Sequence, residues 1–139
     1  MPRRAAGFRG AVQLACRTRA GQGDARAAAC EACGKPLGLY GGEVRPRLAY
    51  DTGACAPRVL SGPANGVLLC GSVVPLSGCR ARAWAMDPEM EARGFRIRPG
   101  SGPEHDPQRV PVLLASLAGP GITAWLRPDG TYSYEDPPL

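Results

Sequence analysis

Four of the six cysteines in this chain fall into two pairs: Cys30 and Cys33 within Cys30-Glu31-Ala32-Cys33, and later Cys70 with Cys79. Two separated pairs of thiols are the pattern of a tetrahedral zinc site, two ligands on a tight turn and two from a distant segment. Gly34 and Lys35 extend the first pair into a zinc-knuckle pattern, in which glycine gives the backbone the freedom to aim amides at the sulfurs. Cys30, Cys33, Cys70 and Cys79 are therefore expected to bind a structural zinc ion. Cys16 and Cys55 have no partner by spacing and are expected as free thiols. An ion held by four thiolates contributes on the order of 10 kcal/mol to folding, comparable with the whole net stability of a small domain.

The rest of the chain makes such a staple useful. At 139 residues with 19 Gly and 15 Pro it is one loop-rich domain with a modest apolar core. Arginines interrupt every apolar stretch of residues 1–29, so no secretory leader is read there, and no run of about 18 apolar residues is present to cross a membrane. A cytoplasmic location is expected, where paired cysteines are more often metal ligands than disulfides.

Charge is uneven. Residues 1–29 carry Arg3, Arg4, Arg9, Arg17, Arg19 and Arg26 against Asp24, while the remainder balances to neutrality. This reads as a flexible basic arm, either gripping phosphates without reading sequence or lying as a solvated tail. Residues 30–94 are expected to form the zinc-binding domain and residues 95–139 a β-appendage packed on it.

The elements that must position the thiols follow from pattern. Residues 11–20 allow a turn or two of helix. Residues 43–50 read as a strand, with Val44, Leu48 and Tyr50 facing inward and Pro46 marking an edge. Val67-Leu68-Leu69 is a short buried run ending at Cys70, and a second turn spans Gly71 to Gly78. A helix is expected from Cys79 to Arg93, ended by Gly94 and either kinked or divided at Pro88, where Asp87 is a good N-cap. Phe95-Arg96-Ile97-Arg98 alternates like a strand, as does the segment from Val110 to Leu114. Two further strands flank Arg127-Pro128-Asp129-Gly130, a turn suited to a hairpin.

Taken together, residues from 30 to about 134 resemble the zinc-containing HNH endonucleases of the short actinobacterial and actinophage type. The resemblance rests on the Cys30–Cys33 knuckle, on Gly62-Pro63-Ala64-Asn65-Gly66-Val67-Leu68-Leu69-Cys70-Gly71-Ser72, on Cys79 with its helix, and on Pro111-Val112-Leu113-Leu114 with a tryptophan hairpin behind it. It implies an α+β fold, a small zinc-stabilised ββα-metal (HNH or treble-clef-like) domain with a C-terminal β-hairpin appendage. In that family a histidine on the first strand is the general base, an asparagine orients it, and a histidine at the helix start helps hold a catalytic divalent ion. Here Asn65 remains, the strand region reads Glu43-Val44-Arg45-Pro46-Arg47, and Arg80 follows Cys79. A guanidinium neither accepts a proton near neutrality nor ligates a cation.

The expected activity is thus a zinc-stabilised, catalytically inactive HNH-like module that binds nucleic acid, DNA first of all, or a protein partner. The candidate contacts are Arg45, Arg47, Arg80 and Arg82 together with the basic arm, Asn65 being vestigial or satisfying loop amides. One alternative is a metal-dependent endonuclease with a rearranged site using Glu43, Asp51 or the single histidine, His105. Another is a structural component of a phage or other assembly. Trp84, Trp125, Tyr132 and Tyr134 can stack on bases but are expected in the core.

Overall fold

The structure, a computed structural model, describes residues 2–5, 7–72, 75–115 and 121–137. It is a small mixed α+β fold with short antiparallel sheets and four α-helices among the described residues. Strand β1 (Arg3–Arg4) precedes helix α1 (Gly10–Ala20), followed by the Cys30–Cys33 turn, β2 (Glu43–Pro46), β3 (Tyr50–Asp51), α2 (Pro57–Leu60) and β4 (Gly66–Leu69). Helices α3 (Gly78–Trp84) and α4 (Pro88–Ala92) come next, then β5 (Val112–Leu114), β6 (Ile122–Leu126) and β7 (Tyr132–Ser133).

β4 is the central piece. All four of its residues are buried, because both of its faces are covered. Val67 and Leu69 point into a core shared with Val59, Met90, Phe95, Val112, Ala124 and Leu126 and with three of the paired cysteines. Leu68 points the other way, into a second core with Phe8, Cys16, Ala28 and Val44 under α1. β4 pairs antiparallel with β2, Glu43 opposite Leu69 and Pro46 opposite Gly66. Gly66 is required by the approach of α1: a Cβ there would meet Cys16 Sγ at 3.0 Å and a Val44 methyl at 3.0 Å.

The amino-terminal segment is not a free arm. α1 makes three turns where one or two were expected, and it is held down by its own polar residues as much as by Cys16. Arg17 donates to the carbonyls of Gly41 at 2.8 Å and Gly38 at 3.2 Å, and Arg3 pairs with the buried Asp51 at 2.5 Å. Arg26 is paired with Asp24 on the surface. The excess positive charge of residues 1–29 is therefore largely spent within the fold.

Other expectations are sharpened. The segment from Cys79 to Arg93 divides into two helices: Met86 sits at φ 55°, Asp87 caps α4 by accepting from the Glu89 amide at 2.8 Å, and Gly94 at φ 82° ends it. The strand expected over residues 43–50 breaks after Pro46, leaving Leu48 in a single parallel bridge to Ile97, and Tyr50 is exposed rather than inward. Residues 95–98 form no strand beyond that bridge. The turn expected between Gly71 and Gly78 includes residues 73 and 74, which lie outside the described residues. β6 and β7 form the hairpin across residues 127–130, and β5 adds to its other edge. This sheet shares the main core with the cysteines rather than being appended to it.

Arg47, expected at a nucleic-acid surface, has no exposure at all. Its guanidinium donates to four backbone carbonyls, Gly94 at 2.7 Å, Ala64 at 3.1 Å, Pro107 at 2.8 Å and Val110 at 2.6 Å. Burial, with Arg19 nearby, pulls its pKa down to about 9, so the group stays charged at neutral pH. It cross-braces three loops that have no sheet to hold them. Replacing Arg47 with Leu strands these carbonyls and should cost about 3–5 kcal/mol in denaturant unfolding. Arg82→Ala, at a solvated pair, should leave the denaturant midpoint close to that of the parent.

Candidate functional site

The four paired cysteines converge. Their sulfurs all lie within 4.8 Å of one another, and Cys33 Sγ is 3.6 Å from Cys70 Sγ. A tetrahedral ion about 2.3 Å from each sulfur requires sulfur separations near 3.8 Å, so the set fits a metal of that geometry. Among the described residues they are the one group of three or more Cys, His, Asp or Glu side chains close enough to share an ion.

Local chain geometry explains the convergence. The Cys30–Cys33 turn closes through Gly34 N to Cys30 O at 2.8 Å, with Gly34 at φ 80°, a conformation that favours glycine. Cys70 leaves the end of β4, and Cys79 is the second residue of α3, brought round by Gly71 and Gly78, both at positive φ. Backbone amides point at the sulfurs: Cys70 N to Cys30 Sγ at 3.3 Å and Cys79 N to Cys70 Sγ at 3.4 Å. A hydrogen bond from the Cys79 thiol, helped by amides, holds Cys30 well below the usual thiol range despite its burial. Cys30, Cys70 and Cys79 are buried and Cys33 is exposed. Cys16 and Cys55 lie outside the cluster, and burial pushes both thiols up to about 11.

Glu31, between the knuckle cysteines, is buried and forms the hub of a polar network that spacing alone does not reveal. Arg19 of α1 donates to both of its oxygens, Nη2 to Oε1 at 2.8 Å and Nε to Oε2 at 3.1 Å. The Leu68 amide reaches Oε1 at 2.9 Å, and the Tyr132 hydroxyl donates to Oε2. Burial and the adjacent carboxylate raise the Tyr132 pKa, keeping the phenol a donor. Arg19 also donates to the carbonyls of Pro63 at 2.9 Å and Gly66 at 2.6 Å and stacks 5.5 Å from the Tyr132 ring. Arg93 adds a second brace, bonding Ala32 O at 2.6 Å and Leu113 O at 2.9 Å.

On the other side of Cys79 along α3, β2 and α3 open a cavity of about 370 Å³ lined by Arg45, Pro46, Leu76, Arg80, Ala83, Trp84 and Arg96. Arg45 and Arg80 were expected here. Arg96 and Trp84 are additions, and Trp84 is 64% exposed rather than in the core. The alternation of Phe95 and Ile97 inward with Arg96 and Arg98 outward was the available signal for Arg96. Glu43 stands at the rim, paired with Arg80 and with Arg45 at 3.3 Å.

The remaining candidates lie elsewhere. Arg82 turns away to Asp87 at 3.1 Å and Glu89 at 2.9 Å. Asn65 is fully buried, its side chain accepting from Leu48 N at 2.8 Å and donating to Leu48 O at 3.0 Å and Leu60 O at 2.9 Å, so it fastens a loop. Asp51 is taken up by Arg3 and by the Gly53 and Ala54 amides, and His105 by the carbonyl of Arg98 at 2.6 Å. Glu43, Asp51 and His105 thus serve three separate local structures.

Comparisons with family models, with curated proteins and with solved structures returned no match.

Two tests bear on the cysteine cluster and on the carboxylate beside it. The purified chain should carry one metal ion, and its removal by a chelator should lower the melting temperature and expose four thiols to alkylation while Cys16 stays protected; a metal-free stable protein contradicts the site. Glu31→Gln should cost about 3–5 kcal/mol by leaving Arg19 buried without its anion, and Arg19→Met in the same chain should recover part of that loss, read from denaturant midpoints.

Proposed function

We propose that this chain is a zinc-stabilised, HNH-like nucleic-acid-binding module that does not cut. What carries the reading is the cleft in which Arg45, Arg80 and Arg96 surround the exposed Trp84. Three guanidiniums around a cavity present donors matched to phosphate oxygens, and burial, with Arg45 nearby, lowers the Arg96 pKa. A phosphate would supply the anion that Arg96 lacks among the ion pairs of the described residues.

Zinc suits the four-thiolate set, being the usual ion of closed tetrahedral sulfur sites in small domains, and here its part is structural. It would fix the end of β4 to the start of α3 and so set the separation of Arg45 on β2 from Arg80 on α3. The succession of knuckle, β2, β4 and α3 is consistent with the ββα arrangement that the HNH resemblance implies.

The same cleft argues against hydrolysis. On the HNH reading, Glu43 belongs to the strand region that carries the base, and Arg80 takes the position of the metal-binding histidine. Glu43 is paired with two guanidiniums, which occupy its oxygens and repel a divalent cation. Among the described residues, no histidine and no ion-binding carboxylate pair stands at that place.

Binding of a labelled DNA should therefore weaken with salt, log Kd rising roughly two to three times as fast as log salt if two to three phosphates are neutralised. Arg45→Ala or Arg80→Gln should lower that slope by about one and Arg82→Glu should leave it unchanged, while Glu43→Gln should tighten binding by freeing two guanidiniums. Binding indifferent to salt or to Arg45 and Arg80 overturns the proposal.

A further inference from the structure

We infer that the cleft takes an unpaired nucleotide, a single-stranded end or a base turned out of its helix, rather than the flank of an intact duplex; this rests on the nucleic-acid reading above. Contact with duplex phosphates needs only exposed cations. This cleft has more: apolar surface lies between the guanidiniums, from Pro46 and Ala83 to Leu76 and Trp84, the last two 46% and 64% exposed. At about 370 Å³ the cavity lies in the lower range of sites that enclose a small ligand.

The indole is the deciding group. It stands at the last residue of α3, one helical turn beyond Arg80, so base and phosphate contacts come from the same short helix. The faces of a base inside a duplex are covered by its neighbours, and only an unpaired base can stack on an indole. The flanking phosphate would lie between Arg45 and Arg80, exchanging places with the Glu43 carboxylate that now joins them. Arg96, held from behind by the Met86 sulfur 3.0 Å from its Nε, reaches the same cavity and is placed for a second phosphate. Charge complementarity and an aromatic platform together favour single-stranded nucleic acid, in which every unit joins a phosphate to a flat π-face, over an acidic peptide, whose carboxylate side chains carry none.

The test is fluorescence anisotropy on the full, metal-loaded chain with three labelled probes: a short single strand, its blunt duplex, and the same duplex with a single-stranded overhang. The single strand and the overhang should bind about tenfold tighter than the blunt duplex. Trp84→Ala should weaken those two by about 5- to 100-fold and leave the blunt duplex unchanged, and Arg45→Ala should weaken all three. Tryptophan emission should be quenched by the single strand in the parent chain and not in Trp84→Ala. Because Trp84 is exposed, that variant should melt with the parent, which separates lost contact from lost fold. Equal affinity for all three probes with Trp84→Ala neutral overturns this inference and leaves the nucleic-acid reading standing. Failure of every probe to bind overturns both.

Discussion

The fold depends on one buried carboxylate. Glu31 sits between two cysteines of the cluster, and its two oxygens collect donors from α1, β4 and β7, elements far apart in the chain. With little regular structure and many glycines and prolines, the apolar core alone gives weak direction to the loops. A buried ion pair adds little net stability over a hydrophobic one, but it penalises every arrangement in which a partner is missing. Glu31 thereby couples the geometry of the thiol cluster to the docking of the amino-terminal helix and the carboxy-terminal hairpin. The thiol cluster and this carboxylate meet on the same four-residue turn, one through sulfur and the other through oxygen.

Arginines divide by partner into two trades. Arg19, Arg47 and Arg93 spend their donors on backbone carbonyls and on Glu31, replacing the sheet hydrogen bonds that short strands do not supply. Arg45, Arg80 and Arg96 meet across a cavity with a single carboxylate between the first two. The planar five-donor guanidinium suits both uses, which lysine, with its compact and strongly hydrated charge, does not. A net charge of +5 is therefore a poor guide to where an anion would bind, since much of it is consumed internally.

This division explains what could be read from the chain and what could not. The four thiols were legible because a metal imposes spacing and turn chemistry on its ligands, and Gly34 and Gly94 were legible because positive φ selects glycine. The β6–β7 hairpin and the division of α3 from α4 followed from local punctuation. Arg47 and the residues of α1 were misplaced because nothing local distinguishes an arginine that bonds four distant carbonyls from one that faces water. Glu31 was passed over as a spacer within its knuckle, and its partners are set by tertiary contacts. Trp84, placed in the core on composition, lies at the end of a short helix whose buried side is already filled by Cys79 and Ala83.

Whether the module proposed for this chain binds without cutting is measured most directly with supercoiled plasmid incubated with the metal-loaded chain in Mg²⁺, Mn²⁺ or Ni²⁺. The account predicts a mobility shift at low salt that disappears when the protein is stripped, leaving the plasmid supercoiled. Nicked or linear product that depends on the divalent ion and is lost in Glu43→Ala or His105→Ala would contradict it.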